Sequence, residues 1–240
     1  MRAMLTIAAR ELGASFRLPV GWLTLAFFLL VSGIVFGVLV LTPGQPASMR
    51  TFFMVAGWLL LPVAPAISMR ALSEELRAGT LESLMASPAS DAAIVMGKFL
   101  ACVATLVLML VPTLAHVLIL AGLAQPAMDF GPVLAGYLSL VLVGTFYLAI
   151  GLFFSSLTSS QTLAFLGTLF TLLLVLLLPV IPPGTLPEGV RAALAKLAAG
   201  SRAGEFARGV VDTGHVVFFL AGAVVFLVAT HASVQSRRWR

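Results

Sequence analysis

The sequence predicts an all-α polytopic membrane protein: six transmembrane helices, an N-terminal interfacial helix and a short transverse helix on the cytoplasmic side. Three observations lead there. Of the 240 residues, 60% are hydrophobic and only 10% are charged, against about 25% charged in soluble domains. Apolar runs of spanning length recur along the chain, each about the 20 residues that cross roughly 30 Å of hydrocarbon. Between two of them lies one long polar interruption, Met69 to Lys98. The net charge of +5 comes from dispersed basic residues, a distribution suited to anionic headgroups and not to a nucleic-acid groove. The single cysteine, Cys102, excludes an intrachain disulfide and offers no zinc or redox spacing.

The chain reads as one transmembrane domain over 1–240. Residues 1–18 form the interfacial helix, 70–90 the cytoplasmic element and 182–213 an extracytoplasmic helical segment. In the first of these, Met1, Leu5, Ala8, Leu12 and Phe16 share one helical face. Arg2, Thr6, Arg10 and Arg17 share the opposite one, and Glu11 fits neither. Pro19 and Gly21 then turn the chain into the bilayer. Trp22 to Leu41 is the first span, and Phe52 to about Met69 the second, with Pro62 and Pro65 inside it as sources of a kink.

The third span runs from about Asp91 to Gly122, with Ser90 as N-cap. It exceeds the bilayer's need, and Pro112 is placed to bend it. His116 stands alone in it, which favours packing over ligand contact. The fourth span covers about Val133 to Leu157, with Gly136, Gly144 and Gly151 spaced along it but no GxxxG pair. A Ser-rich turn leads to the fifth span, Thr162 to Ile181, and PVIPPG opens the outer segment. There Glu205, Arg208 and Asp212 have the spacing of a charged cluster on one helix face. His215 to Val234 is the sixth span, and the chain closes on Arg237, Arg238, Trp239 and Arg240.

Six spans place both termini on one side. That side then holds Arg2, Arg10, Arg17, Arg70, Arg77, Lys98, Arg237, Arg238 and Arg240. The other holds Arg50, Arg191, Lys196, Arg202 and Arg208. Nine against five puts the termini in the cytoplasm. Arg2, Arg10, Arg17, Arg237, Arg238 and Trp239 then serve as anchors at the inner interface.

Nothing in the chain has the pattern of a catalytic centre. It has no Gly-rich phosphate loop, the Ser-rich turn at 155–160 has no His/Asp framework near it, and the three histidines lack metal-ligand spacing. No span carries a carboxylate–base relay of the kind proton-coupled carriers use. The polar stretch reads as a recognition element. Helix continues out of the second span through Glu74, Glu75 and Arg77 and stops at Gly79. Thr80 caps a second short helix with Glu82 in its first turn, and Pro88 ends it. Leu81, Leu84 and Met85 are its apolar teeth, and Glu74, Glu75 and Glu82 its charged rim.

MRALSEELRAGTLESLMASPAS followed by IVMGKFLA, FARGVVDTGHVVFFLAGAVVFLVAT followed by RRW, and FRLPVGWL together resemble the permease subunits of ABC-2 type ATP-binding-cassette transporters. The likeness is greatest to the gliding-motility (GldF-like) type, a relative of the NosY-like permeases. It extends over nearly the whole chain and departs from the family pattern at Gly214, where relatives often carry a charge. The resemblance implies a six-helix ABC-2 transmembrane domain in a bacterial inner membrane, working as a dimer of permeases with two copies of a separate ATPase that holds ATP and Mg. It makes 74–88 the coupling element entering the ATPase, and it implies an auxiliary membrane protein with an extracytoplasmic domain. The expected function is export. The other reading is force transmission to that auxiliary protein without transport.

Overall fold

The computed structural model describes residues 2–42, 44, 47–82, 89–124, 128–177 and 212–237. Nine α-helices are described. They are α1 (Arg2–Arg17), α2 (Pro19–Val35), α3 (Arg50–Ser68), α4 (Ser73–Ala78), α5 (Asp91–Leu110), α6 (Leu114–Leu123), α7 (Phe130–Leu157), α8 (Gln161–Leu177) and α9 (Thr213–Ser236). No strand occurs among the described residues. Among the described residues, five stretches are long and apolar enough to cross a membrane: 19–40, 50–78, 91–123, 130–157 and 213–236. The helix expected as the fifth span is α8, with 17 described residues, a shorter apolar helix; residues 178–181 of that expected span lie outside the described residues. The outer segment 182–213 is outside them too, up to Asp212.

Local chemistry sets the helix boundaries. Leu18, held extended by the proline that follows it, leads into Pro19 at the first turn of α2. Gly21 fits that corner because a Cβ there would come within 2.2 Å of the Ser15 carbonyl oxygen. Span one ends in a π-helical turn, Phe36–Val40. The Ser90 hydroxyl accepts from the Ala93 amide at 3.2 Å and caps α5 as expected. Span three changes register at its proline: a single 3₁₀ turn, Val111–Thr113, joins α5 to α6. The Thr113 hydroxyl there meets the Tyr137 hydroxyl at 2.9 Å. Span four starts earlier than Val133, at Phe130, because Asp129 caps it through Gly131 at 2.9 Å.

Helix α7 is the centre of the bundle, in contact with α3, α5, α8 and α9. Its apolar residues have no favoured side, as expected for a helix surrounded by others. In lipid the hydrophobic effect does not drive helix association, so close packing must. The three widely spaced glycines supply it. A Cβ at Gly136 would lie 2.3 Å from the Phe53 ring, at Gly144 2.4 Å from a Leu106 methyl, and at Gly151 1.9 Å from the Ser68 hydroxyl. Each glycine seats one side chain of span two or three. On the other side, Phe146 packs among Phe218, Phe219 and Phe226 of α9.

Side chains of α1 and span three show which faces meet protein. Helix α1 buries Ile7 and leaves Leu5 exposed. Its protein-facing side is Met4, Ile7 and Glu11, while the Leu5 face of the helical wheel is left for lipid or solvent. His116 is a packing residue: its ring stacks on Phe36 at 4.5 Å and meets Phe52 edge-on at 5.5 Å.

Replacing Gly136 or Gly151 by alanine is expected to destabilise the protein by about 1–3 kcal/mol through overpacking. Gly144→Ala should cost less, since the Leu106 methyl can move. Gly33→Ala and Gly57→Ala, where nothing lies within 4 Å, should be neutral or gain about 0.5–1 kcal/mol of helix propensity. Thermal midpoints in detergent measure the contrast.

Candidate functional site

The polar stretch is built by a turn, a short helix and a second helical start. Span two ends at Ser68, and the turn at 69–72 separates it from α4. The expected continuous extension of span two is therefore interrupted, and one hydroxyl accounts for the interruption. Ser155, fully buried near the end of α7, accepts from the Leu72 and Ser73 amides at 3.0 Å each and donates to the Met69 carbonyl at 3.0 Å. It satisfies backbone groups that a turn inside protein would otherwise leave unpaired. The Ser73 hydroxyl, also hydrogen-bonded to the Met69 carbonyl, tightens the same turn. Ser155 lies in the Ser-rich run that the sequence offered only as a turn.

Helix α4 carries Glu74 and Glu75 in its first turn, where negative charge complements the helix dipole. It stops at Gly79, which takes the left-handed conformation (φ +67°), and the Thr80 amide reaches back to the Glu75 carbonyl at 3.0 Å. Helix resumes at 81–82. Leu84 and Met85 lie outside the described residues. Leu81, expected as a tooth for a partner, is instead buried in the protein's own core with Leu72. Arg77, Glu82 and half-exposed Glu74 face outward, and Arg70 holds Glu74 through Nε and Nη2 at 3.1 Å.

Glu75 leaves the expected rim. It turns inward to Lys98 on α5, with its Oε1 2.8 Å from Nζ, and Lys98 is 2% exposed. The same ammonium meets Glu11 of α1 at 3.3 Å, and Glu11 is held from the other side by Arg10 at 3.0 Å. The result is a line of alternating charges, Arg10–Glu11–Lys98–Glu75, that ties α1, α5 and α4 together. A convergent acid–base set thus exists where the sequence reading found none. Gly97 makes it possible: a Cβ there would lie 2.8 Å from the Ile7 side chain and 2.9 Å from the Met4 carbonyl, so only glycine lets α1 come this close. Burial pushes the Glu75 carboxyl above its ordinary value, and the Lys98 ammonium pulls it back only in part. Two signals in the sequence pointed here: a lysine well inside an apolar helix, and a glutamate that fitted neither face of α1.

The other expected site residues have local roles. Asp212, assigned to an outer charged cluster, caps α9 by accepting from the Gly214 amide at 2.7 Å; Glu205 and Arg208 lie outside the described residues. Arg237, expected as a headgroup anchor, donates from Nη2 to the Ser156 carbonyl at 3.1 Å and to the Leu157 carbonyl at 3.4 Å. A cation there completes the open C-terminus of α7. Arg10 and Arg17 are exposed, while Arg238, Trp239 and the Arg2 side chain are outside what the structure describes.

Lys98→Met should cost up to about 3–5 kcal/mol, because the partly buried Glu75 loses its cation and Glu11 keeps only Arg10. Most of that loss should return in the triple variant Lys98→Met/Glu11→Gln/Glu75→Gln, which removes the charges as a set; thermal midpoints decide. Ser155→Ala should cost about 1–3 kcal/mol through unpaired amides and raise hydrogen exchange across 69–78 while leaving α9 protected.

The geometry is that of a short polar helix held between two spans of a helical bundle. The model of the ABC-2 family transporter proteins matches residues 44–201, a region that runs from before span two into the outer segment and includes the whole polar stretch. No curated protein matches the chain. Permeases of this family are non-catalytic membrane subunits that work with an ABC ATPase and dimerise. With its apolar bundle and a match over well more than half its length, the chain belongs to the ABC-2 transporter family, as the multi-pass membrane component of an ABC transporter.

Proposed function

We propose that this permease couples ATP hydrolysis by a separate cytoplasmic ATPase, which holds the ATP and Mg, to export across a bacterial inner membrane. In this reading two permease copies pair with two ATPase copies, both termini lie in the cytoplasm, and α1 lies along the inner interface. The ATPase docks on α4 and the helical start that follows it, residues 73–82. The observation that carries the reading is the mounting of α4. Ser155 fixes its first turn to span four, and Glu75 fixes it through Lys98 to span three and α1. A push on α4 therefore reaches spans two, three and four together, whereas an ordinary loop would absorb it. The outward side chains Glu74, Arg77 and Glu82 make the contact, and Glu75 transmits it. The gliding-motility subtype, with its auxiliary extracytoplasmic partner, remains part of the proposal through the sequence resemblance.

Charge reversal at Glu74, Arg77 and Glu82 tests the docking. Exposed changes of this kind shift stability by only about 0.5 kcal/mol, so the permease should still purify with an unchanged thermal midpoint. It should lose co-purification with its ATPase and most of its stimulation of ATP hydrolysis. If both persist, docking at this helix is wrong. Flux measured in liposomes with the same complex separates export from force transmission alone, which would consume ATP without moving a solute.

A further inference from the structure

A crevice of about 100 Å³ opens beside the charge line, between α1, the start of α2, the end of α3 and α5. Its mouth carries the partly exposed Glu11, Arg70 and Glu74, the buried Lys98 also lines it, and its wall continues along Ile67, Cys102 and Thr105. The charged mouth over an apolar wall has the chemical profile of a phospholipid, headgroup above acyl chain. We propose that the crevice binds one zwitterionic aminophospholipid, its phosphate on Arg70 and its ammonium on Glu74 and Glu11.

Three observations select that occupant. First, the mouth lies beside the corner where α1 turns into span one. There the exposed Trp22 ring packs edge-on against Phe16 at 5.5 Å and donates from Nε1 to the Phe16 carbonyl at 2.7 Å. Amphipathic aromatics of this kind sit at headgroup level. Second, the charges lining the crevice balance: Arg70 and Lys98 against Glu11 and Glu74. An anionic headgroup would add an uncompensated negative charge at the membrane boundary, and a zwitterion adds none. Third, the mouth can open cheaply. Arg70 and Glu74 are paired one helical turn apart and partly exposed, and such pairs contribute little in water. A zwitterionic headgroup replaces this single pair with two, one at each of its own charges. Lys98 stays out of the exchange because Glu11 and Glu75 already hold it.

The test is retention of lipid by the purified full chain. It is offered phosphatidylethanolamine and phosphatidylglycerol of identical acyl chains in equal amounts and read by native mass spectrometry. The wild type should keep phosphatidylethanolamine with about tenfold preference. Arg70→Gln/Glu74→Gln should bring the two lipids level, and Thr105→Leu, which narrows the wall, should lower retention of both. Thermal midpoints identify any variant that has unfolded, and the Arg70/Glu74 pair, being at the surface, carries the result if Thr105→Leu does not fold. Equal retention of the two lipids by the wild type, no retention of either, or an unchanged preference in the double variant would overturn the proposal. The readout involves no ATPase, so its failure is separate from failure of the docking reading.

Discussion

A lysine ammonium withdrawn from water near the start of a spanning helix must be answered by carboxylates within a few ångströms, and the end of the bundle that holds α1 and α4 is arranged around that demand. Lys98 is met by Glu11 and Glu75, and each answer fixes a different piece of the chain. Glu11 commits α1 to lie against span three, which in turn requires a glycine at 97. Glu75 commits α4 to face inward, which in turn requires the turn that Ser155 supports. The desolvation of such groups is large enough that a half-made set would be worse than an apolar one. The three helices therefore hold one arrangement together or lose it together.

The middle of the bundle follows another rule. There charge is absent and lipid competes on equal terms with protein for apolar side chains. Span four resolves the competition by shape, with Phe53, Leu106 and Ser68 entering the spaces left by three glycines. These seats explain how a helix without a paired small-residue motif can still be the hub of the domain. They also set where spans two and three can slide along it, since each seated side chain would have to leave its glycine first.

Much of this was legible in the sequence because it depends on neighbours in the chain. Hydropathy marks the spans, Ser90 and Gly79 punctuate helices by local backbone chemistry, and Pro112 marks the one change of helix type in span three. What was not legible depends on residues distant in sequence. Lys98 looks like one more cytoplasmic basic residue until Glu11 and Glu75 are brought to it. Leu81 and Glu75 fit a partner-facing surface by helical spacing, but the turn after Ser68 rotates both towards the protein. Arg237 looks like a headgroup anchor until the end of span four is placed beside it. In a membrane chain an apolar face is also ambiguous, since lipid and protein both accept it, so the wheel of α1 does not show that Ile7 is the side chain buried in protein.

The Ser155 hydroxyl is separated from the turn it holds by 82 to 86 residues of chain. Synthesis runs from the N-terminus, so spans two and three are made well before span four supplies this group. Until then the Leu72 and Ser73 amides and the Met69 carbonyl must find water or other partners, and α4 has no fixed direction. Helix α4 is among the earlier parts of the chain to be made and among the later ones to take its shape. A permease truncated before span four would present the same residues at 69–82 without the geometry that orients them.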